Sequence, residues 1–396
     1  MDKAELLKKI DALNDQLIDV RRHIHAHPEL SGLENQTAIL ISGYLKRIGW
    51  RVKESVGRTG VIAEFGPENK GFIGLRVDMD ALPIIETTNL SFASKVDGVM
   101  HACGHDIHIS IGLGVAEIIK DLQLEYGTRI IFQPAEEIAS GARWMINDGA
   151  TDGLIQILGV HVFPELAVGT IGIKEGSLTA AAGELQVEII GKSGHGARPH
   201  EGVDAIWVAS KVISGIQELI TRKLDTLDPF VLTFGKINGG NAYNILADKV
   251  NLIGTVRCTN PELFNSASSW LKENISSIVN SCGAKALIKF REIAPPVNNN
   301  PKINNVLRDS AIKILGHENV VELQKPSLGA EDFAEFLKKV PGAMFRLGVS
   351  GEKGCSPLHS SNFDPDEKAI AVGIKVLTES IVKLSNKTKR SINEKR

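Results

Sequence analysis

The stretch GELQVEIIGKSG (183–194) alternates apolar and polar residues with a period of two, the pattern of a strand buried on one face only. Everything before it reads differently. VIAEFG (61–66), GFIGLRVDMD (71–80), TRIIFQPAEE (128–137) and LIQILGVHVF (154–163) are nearly continuous apolar runs rich in β-branched residues. Helical patterns at 4–27, 37–49, 107–122 and 140–149 precede or separate them. Strands buried on both faces and interleaved with helices argue for an α/β sheet covered on both sides.

From residue 184 onward the order changes. After that strand come a long helix (203–224), two strands (229–239 and 249–259), a helix (261–281) and a strand (284–292). The order β-α-β-β-α-β is that of a ferredoxin-like module. APPVNNNP (294–301) marks its exit, because proline and asparagine break both helix and strand. Helical patterns near 303–315, 329–339 and 366–385, with strand-like AMFRLGV (343–349), then resume the earlier alternation. The expected architecture is an α/β domain made of residues 1–183 and 297–396, with a small α+β domain at 184–296 inserted into it.

The chain has 396 residues, 45 basic and 47 acidic, for a net charge of −2. That balance gives no reason to expect nucleic acid or an anionic membrane as a partner. The N-terminus mixes charges into a helical pattern and lacks the continuous apolar core of a signal peptide, and no later run is long enough to span a bilayer. Four scattered cysteines (103, 258, 282, 355) read as free thiols of a reducing cytoplasm. The polar C-terminus KLSNKTKRSINEKR (383–396) is expected to fray.

Four segments carry residues able to do chemistry. In VMHACGHDIHIS (99–110), Gly104 sits between Cys103 and His105, so both can project from a tight turn at the start of a helix. In IIFQPAEE, Glu136 and Glu137 follow an apolar strand and Pro134; two neighbouring carboxylates can divide labour, one as ligand and one moving protons. His161 lies inside an apolar strand, and His359 in the polar loop CSPLHSSNFD. Each has a blander alternative: a small buried cysteine, a solvated acidic loop, a core histidine, a surface histidine. Together, Cys103, His105, Glu137, His161 and His359 give five ligands, more than the three protein ligands of a typical single catalytic zinc. Five suit two metals sharing one bridging group, and a thiolate can bridge.

Nine stretches, in order, carry a resemblance: RRHIHAHPELSGLE, RVDMDALPI, MHACGHDIHI, FQPAEE, GVHV, GKSGHGARPHEGVDAI, GTVR, GAEDFAEF and LHSSNFD. Over about residues 18–385 the chain resembles the dinuclear metal amidohydrolases that include hippurate hydrolase, aminoacylases, auxin-conjugate hydrolases and N-acetyl-diaminopimelate deacetylase. The resemblance implies a zinc-peptidase-like mixed sheet flanked by helices, with the inserted domain serving as lid and as the contact of a homodimer. It implies that Cys103 bridges two divalent ions (zinc, manganese, cobalt or nickel), with His105 and His161 completing one site and Glu137 and His359 the other. Glu136 would be the general base and acid, and Asp80 a group orienting the site. His195, with Asn244, would stabilise the oxyanion, reaching the partner subunit's site, and Arg257 would pair with a substrate carboxylate. His101 and His108 would support the metal shell. The implied reaction is hydrolysis of an N-acyl amino acid; a dipeptidase or carboxypeptidase, or a deacetylase of N-acetyl-diaminopimelate, would share the mechanism. A non-catalytic metal-binding or redox-sensing protein built on Cys103 is the competing class, and it has no use for Glu136. Asn241, Tyr243 and Ala330 depart from the family's usual residues, which bears on substrate preference and not on the ligands.

Overall fold

The computed structural model describes residues 3–393, which form two compact units. The first comprises residues up to Leu178, Val297–Lys325 and the residues from Asp332 on; the second comprises Thr179–Pro296 with Pro326–Glu331.

In the first unit, α1 (Lys3–Ala26) and α2 (Asn35–Arg47) precede strands β1 (Arg51–Val56), β2 (Gly60–Phe65) and β3 (Phe72–Asp78). There follow α3 (His105–Ile119), β4 (Gly127–Gln133), α4 (Gly141–Asn147), β5 (Leu154–Ala167), β6 (Ile171–Ile173) and the short β7 (Gly176–Ser177). The second unit is built from β8 (Ala181–Ile190), α5 (Ala205–Lys223), β9 (Phe230–Gly239), β10 (Lys249–Cys258), α6 (Pro261–Ser281) and β11 (Lys285–Ala294). The chain then returns to the first unit through β12 (Asn298–Asn299), α7 (Pro301–Leu315), β13 (Val320–Glu322), α8 (Phe333–Leu337), β14 (Gly342–Ser350) and α9 (Ala369–Asn393).

The first unit holds an eight-stranded mixed sheet ordered β1-β2-β4-β3-β5-β14-β6-β13. Its centre, β4-β3-β5-β14, is parallel. All residues of β3 and β4 are buried, as expected for central strands of a sheet covered on both faces. α3 is buried along its whole length and packs against α1 and α9. The chain steps from β3 to its neighbour β4, then back past β3 to β5. Such a reversal opens a crevice at the C-terminal ends of parallel strands, where open α/β sheets place their sites.

The second unit is a four-stranded antiparallel sheet, β11-β8-β10-β9. Leu185, Val187 and Ile189 of β8 and Val250, Leu252 and Val256 of β10 point to one face. Val212 and Ile216 of α5 and Leu271 and Ile275 of α6 join them in a separate core. Asp204 caps α5 through Ile206 N, and Asn260 caps α6 with Pro261 in its first turn.

Two expectations need amendment. β1 was not anticipated, because RVKESV is mostly exposed and carries no apolar alternation; it is an edge strand held by pairing with β2. The last helix runs to Asn393 where a frayed tail was expected, and the residues beyond it lie outside those described.

Candidate metal centre

α3 starts at His105, directly after Gly104, whose φ is 79°. A Cβ on Gly104 would lie 2.6 Å from Val162 Cγ2, so the turn between Cys103 and His105 presses against β5 and requires glycine on both counts. Asp80 lies two residues beyond the end of β3. His105 Nδ1 donates to Asp80 O at 2.9 Å and sits 3.3 Å from Asp80 Oδ1, which leaves Nε2 as the nitrogen able to coordinate. His161 is fixed in the same way: Nδ1 donates to Val162 O at 2.8 Å, and Nε2 faces Cys103 Sγ at 3.5 Å.

The two glutamates follow β4 on a turn whose Ala135 has φ 53°. Glu137 N donates to Asp80 Oδ2 at 3.0 Å. Its carboxylate spans two histidines, Oε1 lying 3.8 Å from His105 Nε2 and Oε2 lying 3.4 Å from His359 Nε2. His359 itself has φ 63°, and its amide donates to Ala102 O at 2.8 Å, which ties the late loop to the Cys103 turn.

Cys103, His105 and His161 thus bring their donor atoms within 4.8 Å of one another, and so do Cys103, Glu137 and His359. Cys103 belongs to both groups, and Glu136 joins a third with His105 and Glu137. His105 Nε2 and Glu137 Oε1 are buried without a hydrogen-bond partner, which is costly unless something else satisfies them. For the chain alone, burial pushes the Cys103 thiol well up, the Glu137 carboxyl up to about 7 and the His161 imidazole well down. Burial also presses the His105 imidazole down, but the charges of Asp78 and Cys103 prevail and hold it above its usual range. Divalent cations would remove the penalty on the thiolate and the carboxylate. Sulfur, nitrogen and oxygen donors in one place, two of them orphaned, fit metal ions.

Of a buried layer beneath the candidate donors, only His108 was expected from the sequence. The Arg76 guanidinium, fully buried, donates to Gln133 Oε1 at 2.8 Å, Asp78 Oδ2 at 2.7 Å and Asp332 Oδ1 at 2.9 Å. Asp78 Oδ1 accepts from His108 Nδ1, and His108 Nε2 accepts from Val162 N at 2.9 Å. This links β3, β4, β5 and the start of α8 beneath the donors. The signal was present: Arg76 and Asp78 are charged residues inside a run that is otherwise apolar, and such residues are almost never fully buried unless paired.

The remaining candidates lie in the second unit. His195 and Asn244 are brought together: Gly196 N donates to Asn244 O at 2.8 Å, and His195 pairs with Ile245 as an isolated bridge. Both side chains are exposed, with His195 Nδ1 accepting from Ala197 N at 3.0 Å. Arg257 lies on β10, half-buried, with Nη1 bonded to Val256 O and Thr255 Oγ1.

Comparison with known proteins identifies the family. Residues 74–383 match the sequence profile of peptidase family M20/M25/M40. The chain belongs to that family. Among curated relatives, a protein of Synechocystis sp. named as a probable hydrolase is 45% identical over 94% of this chain and 97% of its own. The N-acetyl-L-cysteine deacetylase of Bacillus subtilis is 39% identical over 96% and 91%. Among solved structures, a dinuclear metal-binding M20 peptidase of Bacillus subtilis superposes with a TM-score of 0.84 at 35% identity, covering 95% of this chain and 99% of that one. The M20 member described here is accordingly a metal-binding hydrolase with the mixed α/β fold expected from its sequence.

Proposed function

We propose that this protein hydrolyses the amide bond of N-acyl amino acids, releasing a carboxylic acid and a free amino acid. The observation that carries the reading is the pair of donor groups sharing Cys103, with Glu136 beside the ligand Glu137 on one turn. The N-acetyl-L-cysteine deacetylase among its relatives supports the substrate class.

In this reading Cys103, His105 and His161 would hold one divalent ion, and Cys103, Glu137 and His359 would hold the second. Such ions, which the mixed donor set allows to be zinc, manganese, cobalt or nickel, supply Lewis acidity to the amide carbonyl and to water. Glu136 takes the proton from the attacking water and passes it to the departing amine nitrogen. Asp80 keeps His105 in the tautomer that leaves Nε2 available, and its other oxygen holds the Glu137 amide. His195 and Asn244 donate to the oxygen that becomes negative in the tetrahedral state, and the planar fork of Arg257 takes the substrate's free carboxylate. Residues 1–183 and 297–396 form the catalytic domain, and 184–296 form the lid through which two copies pair. The protein acts in the cytoplasm as a homodimer.

The deciding experiment measures amino-acid release from a panel of N-acyl amino acids and dipeptides, using apo-protein reconstituted with each of the four metals. Metal-dependent release from N-acyl amino acids is expected, and release from dipeptides alone would replace the substrate class. Glu136→Gln should retain both ions and lose at least about 100-fold in turnover. Loss of metal in that variant would show that the two glutamates have been exchanged.

A further inference from the structure

The segment HPELSGLE (27–34) supplies no metal donor, yet it grips the site from behind. It joins α1 to α2 and lies along the end of β3: Ala81 N donates to Glu29 O at 2.8 Å, and Leu30 pairs with Ala81. Ser31 Oγ donates to Asp80 Oδ2 at 2.6 Å. Glu34 goes deeper and is 0% exposed. Its Oε1 accepts from Gly32 N at 2.8 Å and from Ala135 N at 2.9 Å, and its Oε2 accepts from Thr59 Oγ1. A carboxylate so buried persists only when hydrogen-bonded, and here donors from three chain segments converge on it.

One of those donors is the amide of the residue before Glu136. Ala135 has φ 53°, a left-handed conformation that a non-glycine residue keeps only when its surroundings over-determine it. The other side of the residue is held as firmly. Ser140 N and Gly141 N both donate to Ala135 O, at 3.2 and 3.1 Å. A Cβ on Gly141 would lie 1.6 Å from Pro134 O, so the chain closes on this turn without room for a side chain.

We propose that Glu34 is a positioning residue for Glu136: by accepting the Ala135 N–H it fixes the left-handed turn from which Glu136 projects. The inference rests on Glu136 being the proton-transfer group. It adds that Glu34 acts through acceptor geometry, and that its charge is dispensable.

Four variants of the metal-loaded protein test it, with kcat and KM separated, metal content measured, and exchange of the Ala135 amide followed by hydrogen–deuterium exchange. Glu34→Gln retains an oxygen for the backbone amides and can donate from Nε2 to Thr59 Oγ1, so kcat should stay within about three-fold. Glu34→Met has similar length and no oxygen; kcat should fall about 100-fold with KM nearly unchanged, both ions retained and the Ala135 amide exchanging faster. Glu34→Asp keeps the charge but is one methylene short, so it should resemble Glu34→Met, and it carries the test if the methionine variant does not fold. Glu136→Gln is the control. If it is inactive while Glu34→Asp and Glu34→Met turn over like the parent, the positioning role is wrong. Loss of metal together with kcat in the Glu34 variants would also overturn it, by making Glu34 a general support of the site. An active Glu136→Gln would remove the base assignment itself and the proposal with it.

Discussion

Asp80 serves two donors at once, because its main-chain and side-chain oxygens face His105 while Oδ2 holds the Glu137 amide and the Ser31 hydroxyl. Replacing a group that orients metal ligands weakens binding by roughly 10- to 100-fold, so Asp80→Ala should need that much more metal for half-saturation in an isothermal titration. Unchanged affinity would leave the Asp80 side chain without its orienting role, since alanine keeps the main-chain oxygen that accepts from His105. At this scale the candidate donors could be proposed from the sequence because Cys and His are few and the Glu136–Glu137 pair directly follows an apolar strand and a proline. Which groups Glu34 and Arg76 would meet could not be read in full, since one partner of each, Ala135 and Asp332, lies 101 and 256 residues away and only folding brings it within reach.

Turns and strand ends do the positioning, and they fail in recognisable ways. Gly104→Ala would force an alanine into φ 79° and drive its Cβ against Val162. Left-handed strain and overpacking together should cost roughly 2–4 kcal/mol in a denaturant titration. Stability within 0.5 kcal/mol of the parent would mean that the turn relaxes freely. Arg76→Met should cost more. It leaves the buried carboxylates of Asp78 and Asp332 without their shared cation, a loss of about 3–5 kcal/mol for uncompensated buried charge. Strands β3, β4, β5 and β14 were legible from their apolar runs, and the second unit from its alternation. β1 and the two- or three-residue strands β6, β7, β12 and β13 were not. Segments so short or so charged carry no periodicity, and they pair because neighbouring strands offer an edge.

The two units have separate cores, and the residues proposed for oxyanion and carboxylate recognition belong to the second while every proposed metal donor belongs to the first. The expected homodimer makes a sharp test of where His195 works. Glu136→Gln and His195→Ala subunits, each inactive alone, are mixed and allowed to exchange. If His195 serves its partner, half of the sites in each hybrid carry neither lesion, and an equal mixture should recover roughly a quarter of the parent activity. No recovery would place His195 in the site of its own chain.

The order in which the donors occur along the chain has a consequence for synthesis. A ribosome delivers Cys103, His105, Glu137 and His161 before the second unit, and His359 only after the whole of it. Throughout translation of the second unit, the nascent chain therefore carries one complete donor group and lacks the last member of the other. Because a metal stabilises only a state that offers its full set of ligands, the Cys103–Glu137–His359 group can contribute to stability only once the C-terminal segment has emerged and docked through Ala102. In the proposed arrangement that group can fill only after His359 has emerged, and a chain truncated before His359 would retain at most the other.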